Sequence, residues 1–172
     1  MSATMLLAVD TARYEPGRHV GAAAEMVRDL ASKTGDRVIV LHVHEFAVGR
    51  FGRIQIDCAD EQGESVAAGI AASLRDAGIA AEAEVREADY GHVARAILAA
   101  AEHHDARILV LGSSTKKDLP TVPFGSVASR LLHLSSRPVL IVPMHPDRVQ
   151  HVPADSPAVA GQTAPGPEPA AG

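Results

Sequence analysis

At 172 residues, the chain is long enough for one domain with a full core and too short for two comfortable ones. Its net charge of −5 argues against nucleic acid or an anionic membrane as the main partner, because binding to phosphate groups requires a basic surface. Aromatic residues make up only 3% of the chain, so the core must be built from Val, Ile, Leu and Ala.

The compartment is predicted from the cysteine content and from the N-terminal residues. Cys58 is the single cysteine and cannot form an internal disulfide, which favours a reducing compartment. The apolar run Met5–Val9 is too short for the core of a signal peptide and lacks a basic flank. No apolar run approaches the length of a membrane span. We therefore expect a soluble cytoplasmic protein.

The first third of the chain alternates between strand and helix patterns. Met5–Val9 is continuously apolar, as in a strand buried on both faces. Residues 17–34 carry apolar side chains at helical spacing and end before Gly35, and residues 38–43 form a second apolar run. Residues 44–60 fit neither period and are expected to form a surface excursion. Its most apolar part, 46–56, would cover the edge of the core, with a lid over a ligand as the alternative.

The rest of the chain continues the alternation. An alanine-rich helix from about residue 60 is predicted to stop at Gly78, where glycine suits a C-terminal cap. Residues 79–86 alternate between apolar and charged side chains, which predicts a half-exposed strand at a sheet edge. The remaining predicted elements are a helix at 92–104, a buried strand at 108–111, a helix from 126 to 134 and a last strand at 138–143.

This order of elements predicts the fold. Apolar strands that alternate with helices form a parallel sheet, since parallel strands need right-handed crossover connections. We therefore predict an α/β fold with a single open parallel five-stranded sheet and helices on both faces. The domain is expected to span residues 1–145. Residues 146–172 hold six Pro and six Ala and few large apolar residues, so we expect a disordered tail.

The segment between the fourth strand and the fourth helix has the parts of a phosphate-binding loop. Ligands of open parallel sheets bind beyond the carboxyl ends of the strands. Gly112 allows the backbone to leave the strand in an unusual conformation and a ligand to approach closely. Gly125 and Ser126 open a helix whose free N–H groups attract anions, and Lys116 and Lys117 add positive charge. The alternative is an ordinary glycine-capped loop.

The sequence of this segment resembles that of the universal stress protein family. The family's nucleotide motif is G-x2-G-x9-G-[ST], and Gly112, Gly125 and Ser126 occupy its spacing. Further matching stretches are LAVD, VIVLHV, VARAILAAAEHHDARILVLGS and FGSVASRLLHLSSRPVLIVP. The resemblance covers roughly residues 4 to 143. It implies the strand order 3-2-1-4-5 of the family, which is similar to adenine nucleotide alpha hydrolases in fold.

The resemblance also implies a set of contacts with ATP. Magnesium could bind together with ATP. The adenine and ribose would lie at the ends of the first, second and fourth strands, and the phosphates at the start of the fourth helix. By position, Asp10 would lie by the ribose or adenine, Ala8, Val43 and Leu111 would line the base pocket, Gly112 and Thr115 would form the turn, and Gly125, Ser126 and Val127 would hold the phosphates.

One position departs from the family pattern. Thr115 replaces the second glycine of the motif, and a β-branched residue is poorly suited to a positive φ. Its hydroxyl could instead donate to a phosphate. The leading prediction is a stress-response regulator that binds ATP. The alternatives are a dimeric scaffold that binds no nucleotide, which Thr115 motivates, and a weak ATPase.

Catalytic and metal sites are not expected. No base, nucleophile or magnesium carboxylate can be named as a partner for Asp10, so we predict no enzyme. His42 and His44 are expected to point apart, either on opposite faces or because the strand bends. His103 and His104 are adjacent on a helix and should face different directions. Cys58 has no partner at metal spacing.

The last strand predicts self-association. Residues Pro138–Pro143 are apolar throughout, and as the terminal strand they should form a sheet edge without charges to protect it. Members of the resembled family commonly dimerise through this strand. We therefore expect a homodimer.

Overall fold

The computed structural model describes residues 2–9, 21–49, 52–55, 60–113 and 125–143. The predicted tail, the predicted site residues Asp10 and Thr115, and Lys116 and Lys117 lie outside these ranges. The strands are β1 (Thr4–Val9), β2 (Arg37–Gly49), β3 (Gly52–Gln55), β4 (Ala81–Asp89), β5 (Ala106–Ser113) and β6 (Val139–Pro143). The helices are α1 (Gly21–Thr34), α2 (Asp60–Asp76), α3 (Val93–His103) and α4 (Ser126–Leu134).

The predicted parallel sheet is confirmed. Its five parallel strands lie in the order β4-β2-β1-β5-β6, which is 3-2-1-4-5 when parallel strands alone are counted. The predicted edge position of the third apolar strand is also confirmed, because β4 pairs with β2 alone among the described strands. Of the residues expected to face inward on this strand, Ala81 is buried, whereas Val85 is 37% exposed.

Helices cover both faces of the sheet. Strand side chains alternate between the faces, so neighbouring residues such as Leu6 and Leu7 enter different apolar clusters. Alanines of α1 and α2 pack on the cluster that contains Leu7, and alanines of α3 and α4 pack on the cluster that contains Leu6. Small side chains allow these helices to approach the sheet closely, as the scarcity of aromatic residues requires.

The prediction of a surface excursion after residue 43 is wrong for its described part. Strand β2 runs on to Gly49 because β4 extends to Asp89 and pairs with it as far as Phe46. Beyond that point β3 pairs antiparallel with the end of β2, from Phe46 opposite Gln55 to Gly49 opposite Gly52. Gly52 has φ 117°, which only glycine adopts readily. The sheet therefore has a sixth strand, and the segment extends it instead of lying over the core.

A charged cluster joins the edge strand to the end of α3. The Glu84 carboxylate accepts hydrogen bonds from Arg86 on the same strand and contacts the ring of His104, the residue after α3. Partial burial raises the pKa of Glu84, but the hydrogen bonds and positive charge of Arg86 and His104 outweigh it and hold the pKa below its ordinary value of 4.5. The ionised carboxylate therefore contributes to the stability of the fold.

Replacing this carboxylate is expected to cost stability in a pH-dependent way. Glu84→Gln should lower the free energy of unfolding by about 1 kcal/mol at neutral pH, a value reduced by solvent screening. Because the folded-state pKa is depressed, the contribution is fully present above the unfolded-state value and is lost as the pH falls through the folded-state value. Urea denaturation at pH 7 and in acid would measure it. Glu82→Gln, an exposed change on the same strand, serves as the control, and equal effects of the two changes would contradict the prediction.

Candidate functional site

The candidate site lies at the carboxyl edge of the parallel sheet, where β1 and β5 are neighbours. The chain leaves β1 through α1 toward β2, and it leaves β5 through α4 toward β6 on the other side. Connections that leave in opposite directions open a crevice between two strands, which is where ligands bind in open sheets of this kind. The fold therefore places the crevice between the ends of β1 and β5.

The wall of this crevice is apolar. Ala8 of β1 lies in register between Leu41 of β2 and Leu111 of β5. Leu111 belongs to the apolar cluster beneath α3 and α4, and Ala8, Val43 and Val127 pack against that cluster while remaining partly exposed. These four predicted base-pocket and helix residues thus lie on one face of the sheet. Gly112 follows Leu111 on β5 and is partly exposed.

The N-terminus of α4 faces the same edge. A crossover helix runs opposite to the parallel strands that it joins, so α4 begins at the carboxyl edge. Ser126 is the first helical residue and is exposed, and Gly125 precedes it with extended backbone, φ −63° and ψ 165°. The first intrahelical bond runs from the Ser129 N–H to the Gly125 carbonyl oxygen at 2.9 Å. The N–H groups of Ser126, Val127 and Ala128 precede it and have no acceptor within the helix.

Two contacts beside the crevice were not predicted from the sequence. The turn between β4 and α3 is held by Gly91, whose N–H donates to Oε1 of Glu45 at 2.5 Å. The Gly91 carbonyl oxygen accepts a hydrogen bond from Arg130 of α4. Gly91 has φ 77°, so this turn needs a glycine. Together the two contacts connect α4 to β2 through the turn at Gly91.

The prediction that His42 and His44 point apart is wrong. Residues two apart on a regular strand share a face, and β2 continues straight through both positions. Their ring centroids lie 4.9 Å apart in an edge-to-face arrangement. His42 is buried, and its Nδ1 lies 3.5 Å from the carbonyl oxygen of Val9, the last residue of β1. The ring therefore packs beneath the strand end that borders the crevice.

Helix α2 approaches this ring closely. A Cβ atom placed on Gly63 would lie 2.2 Å from Nε2 of His42 and 2.4 Å from its Cε1. No carbon atom can occupy that position without displacement of the ring. The glycine therefore allows α2 to lie directly on a buried imidazole.

The described residues contain neither a candidate metal site nor a helix that could span a membrane. Within them, no group of three or more His, Cys, Asp or Glu side chains could hold a metal ion. Of the helices in the same ranges, none is both long and apolar enough to pass through a bilayer. His103 and His104 are expected from the sequence to face different directions, but their rings lie edge to face, with centroids 4.8 Å apart and an interplanar angle of 83°.

Comparison with known proteins identifies the family. Residues 1–143 match the universal stress protein family. The chain belongs to this family. No curated protein sequence matches the chain.

Solved structures of universal stress proteins share the fold. One from Archaeoglobus fulgidus is 19% identical with a TM-score of 0.64, covering 83% of this chain and 99% of its own. One from Burkholderia pseudomallei is 23% identical with a TM-score of 0.62, covering 82% and 96%. An A. fulgidus protein solved in complex with dAMP is 21% identical with a TM-score of 0.57, covering 81% and 97%.

Proposed function

We propose that this universal stress protein binds an adenine nucleotide, with ATP as the physiological ligand, in the crevice between β1 and β5. The observation that carries the proposal is the meeting of an apolar wall and a helix N-terminus at one sheet edge. A flat apolar base and a charged phosphate need these two surfaces side by side. The family membership supports the proposal, as does the dAMP complex of the A. fulgidus relative.

Each part of the nucleotide has a matching surface in this proposal. The adenine ring packs on Ala8 and Val43, which are partly exposed, beside Leu111, which is buried in the core behind them. Gly112 allows the ribose or phosphates to come close to the backbone of β5.

The phosphates accept hydrogen bonds from the free N–H groups at Ser126 and Val127 and from the Ser126 hydroxyl. The family resemblance implies in addition that Asp10 would contact the ribose or adenine and that Thr115 would belong to the phosphate turn; both positions lie outside the described residues. Magnesium, where it takes part, is carried by the phosphates of ATP.

The bound nucleotide acts as a signal in this proposal and is not turned over. Binding energy at the crevice would favour one arrangement of the residues around it, and a partner protein would recognise that arrangement in the stress response. No chemical step is assigned to the residues of the crevice.

Calorimetric titration of the full chain tests the nucleotide proposal. ATP with magnesium, AMP and GTP are titrated separately. We expect saturable binding of both adenine nucleotides and weaker binding of GTP, because guanine carries more polar groups than adenine and loses more hydration against an apolar wall, while the helix contacts only phosphate. Absence of binding at millimolar ATP with magnesium would refute the proposal. Gain of binding by Thr115→Gly in that case would support the scaffold alternative.

We further propose that the protein is a homodimer through β6. This strand pairs with β5 alone among the described strands, and its residues Val139, Leu140 and Ile141 stay partly exposed. At the end of the neighbouring helix α4, Leu132 and Leu134 are 46% and 56% exposed. An unprotected apolar edge is stabilised by pairing with a second strand. Light scattering at micromolar concentration should give the mass of a dimer, and a monomer mass would contradict this.

A further inference from the structure

A second concave site lies at the opposite, amino-terminal edge of the sheet. It is a cavity of about 430 Å³, and Thr4, Arg37, Arg107, Arg137 and Asp105 are among the residues that line it. Strand β1 has six residues, so this cavity lies about 20 Å from the nucleotide crevice at the usual rise of a strand. The two sites are therefore separate.

The fold brings three arginines to this edge, two from strands and one from the segment before the last strand. Arg37 is the first residue of β2 and lies opposite Thr4 of β1. Arg107 is the extra residue of a bulge in β5, because Ala106 lies opposite Thr4 and Ile108 opposite Met5. A bulge changes the direction of a side chain, and this one brings Arg107 to the rim of the cavity. Arg137 lies two residues before β6.

In two of the arginines a terminal guanidinium nitrogen has an acceptor within the protein. Arg107 pairs with Oδ2 of Asp36 at 2.5 Å. Asp36 is buried, and its carboxylate also accepts from the Ala3 N–H at 3.1 Å and the Thr34 hydroxyl at 2.8 Å. Both oxygens of this carboxylate therefore already accept hydrogen bonds from groups within the protein.

Arg137 donates to the Ala106 carbonyl oxygen at 2.5 Å and to Asp105 at 3.2 Å. The Asp105 side chain is 95% exposed, so this ion pair is largely screened by water. The backbone acceptor holds Arg137 in place. Among the residues that the structure describes, no buried carboxylate neutralises its positive charge, which can therefore attract an anion in the cavity.

Arg37 differs from the other two. Its Nε donates to the Thr4 hydroxyl at 2.8 Å, which orients the guanidinium group. Arg37 is exposed, and its terminal nitrogens have no protein acceptor in the part of the chain that the structure describes, so they are open to a ligand that enters the cavity from solvent. An oriented guanidinium with two free terminal nitrogens is suited to bind an oxyanion through paired hydrogen bonds.

Basic side chains predominate in the lining of the cavity. Three guanidinium groups and His104 line it together with the carboxylate of Asp105. Asp36 lies behind Arg107, and Glu84 contacts His104. The C-termini of α1, α3 and α4 lie at the same edge, and helix C-termini attract cations. That attraction would explain positive charge near the helix ends, but it does not provide an acceptor for a guanidinium group that lines a cavity.

We propose that this cavity binds a small oxyanion, the phosphate or carboxylate group of a metabolite, with Arg37 as the principal contact and Arg107 and Arg137 as supporting charges. The site is independent of the nucleotide crevice. A ligand here bridges the starts of β1, β2 and β5, so its occupancy stabilises the edge of the sheet at which the strands begin.

Amide NMR of the full-length protein tests this site. Inorganic phosphate and citrate are titrated separately, and sodium chloride at matched ionic strength is the reference. We expect saturable shifts at Thr4, Arg37 and Arg107 with phosphate, with citrate or with both, beyond those caused by chloride. The two titrations show whether a phosphate or a carboxylate is preferred. Nucleotide binding would instead shift the amide signals of residues 111–112 and 125–128. Failure of one proposal is therefore distinguishable from failure of the other.

Three variants complete the test. Arg37→Gln should weaken binding by about tenfold or more, as expected for the loss of a charge-assisted hydrogen bond. Arg37→Lys keeps the charge without the forked donors and should show an intermediate loss. Arg28→Gln removes an equal charge from the exposed face of α1 and should change binding less than twofold, which is about the size of a screened long-range effect. Shifts no larger than those with chloride, or equal losses in Arg37→Gln and Arg28→Gln, would overturn the proposal.

Discussion

Gly63→Ala is expected to lower the free energy of unfolding by about 2 kcal/mol, the typical cost of forcing an extra methyl group into a packed site. Alanine normally stabilises a helix relative to glycine, so the sign of this effect is unusual. The cause is the buried ring of His42, whose Nε2 would lie 2.2 Å from the new Cβ. The ring is 4% exposed and borders the end of β1, so its displacement would disturb the strands next to the crevice.

The same helix provides a matched control. A Cβ on Gly69 meets no atom within 4 Å, so Gly69→Ala should raise the free energy of unfolding by about 0.5–1 kcal/mol. Urea denaturation followed by circular dichroism would compare the two variants. Adding His42→Ala to Gly63→Ala should make the pair less destabilising than the sum of the single changes, because the smaller side chain removes the clash. Stabilisation by Gly63→Ala similar to that by Gly69→Ala would contradict the close packing of α2 on His42.

Local sequence signals predicted most of the fold. Gly35 and Gly78 have φ values of 72° and 81°, and α1 and α2 end just before them, as glycine caps predict. Helix α4 spans the predicted residues 126–134. The strand order followed from the resemblance and agreed with the alternation of strands and helices. These features depend on residues near one another in the sequence or on the rule that parallel strands need crossovers.

The errors concern pairing between distant residues. Phe46 pairs with Gln55 on one side and with Asp89 on the other, and neither partner can be recognised from the apolar run around Phe46 alone. Without these partners the segment shows neither a strand nor a helix period, and its sequence therefore predicts a surface excursion. The geometry of His42 and His44 could have been predicted, since the strand period of two places them on the same face.

The candidate site was predictable in part. The apolar strand ends and the Gly125–Ser126 helix start are visible in the sequence because each is a local pattern. The contacts that position them are not, since Gly91 donates a hydrogen bond to Glu45 and accepts one from Arg130, 46 and 39 residues away. The arginine cavity was missed for the same reason: Arg37, Arg107 and Arg137 lie far apart in sequence and meet only because the sheet brings the starts of its strands together.

Ser126→Asp is expected to weaken ATP binding by about tenfold or more while leaving the fold slightly more stable. A carboxylate in the first turn of α4 interacts favourably with the positive end of the helix dipole, which should raise the free energy of unfolding by about 0.3–1 kcal/mol. The same charge would repel phosphates that bind to the N–H groups of that turn. A change that improves stability and impairs binding cannot be explained by partial unfolding.

Two further variants separate charge from the loss of the hydroxyl. Ser126→Ala removes one hydrogen bond from an exposed hydroxyl to a phosphate but adds no repulsive charge, so it should weaken ATP binding less than Ser126→Asp does, by about tenfold or less, the equivalent of up to roughly 1.5 kcal/mol. Ser136→Asp adds the same charge at an exposed position after α4, at the opposite edge of the sheet, and should leave ATP affinity unchanged. Calorimetric titration with ATP and thermal unfolding would be measured for all three. Because AMP carries less phosphate charge than ATP, Ser126→Asp should weaken AMP binding less, and an equal loss for both nucleotides would place the phosphates away from the start of α4.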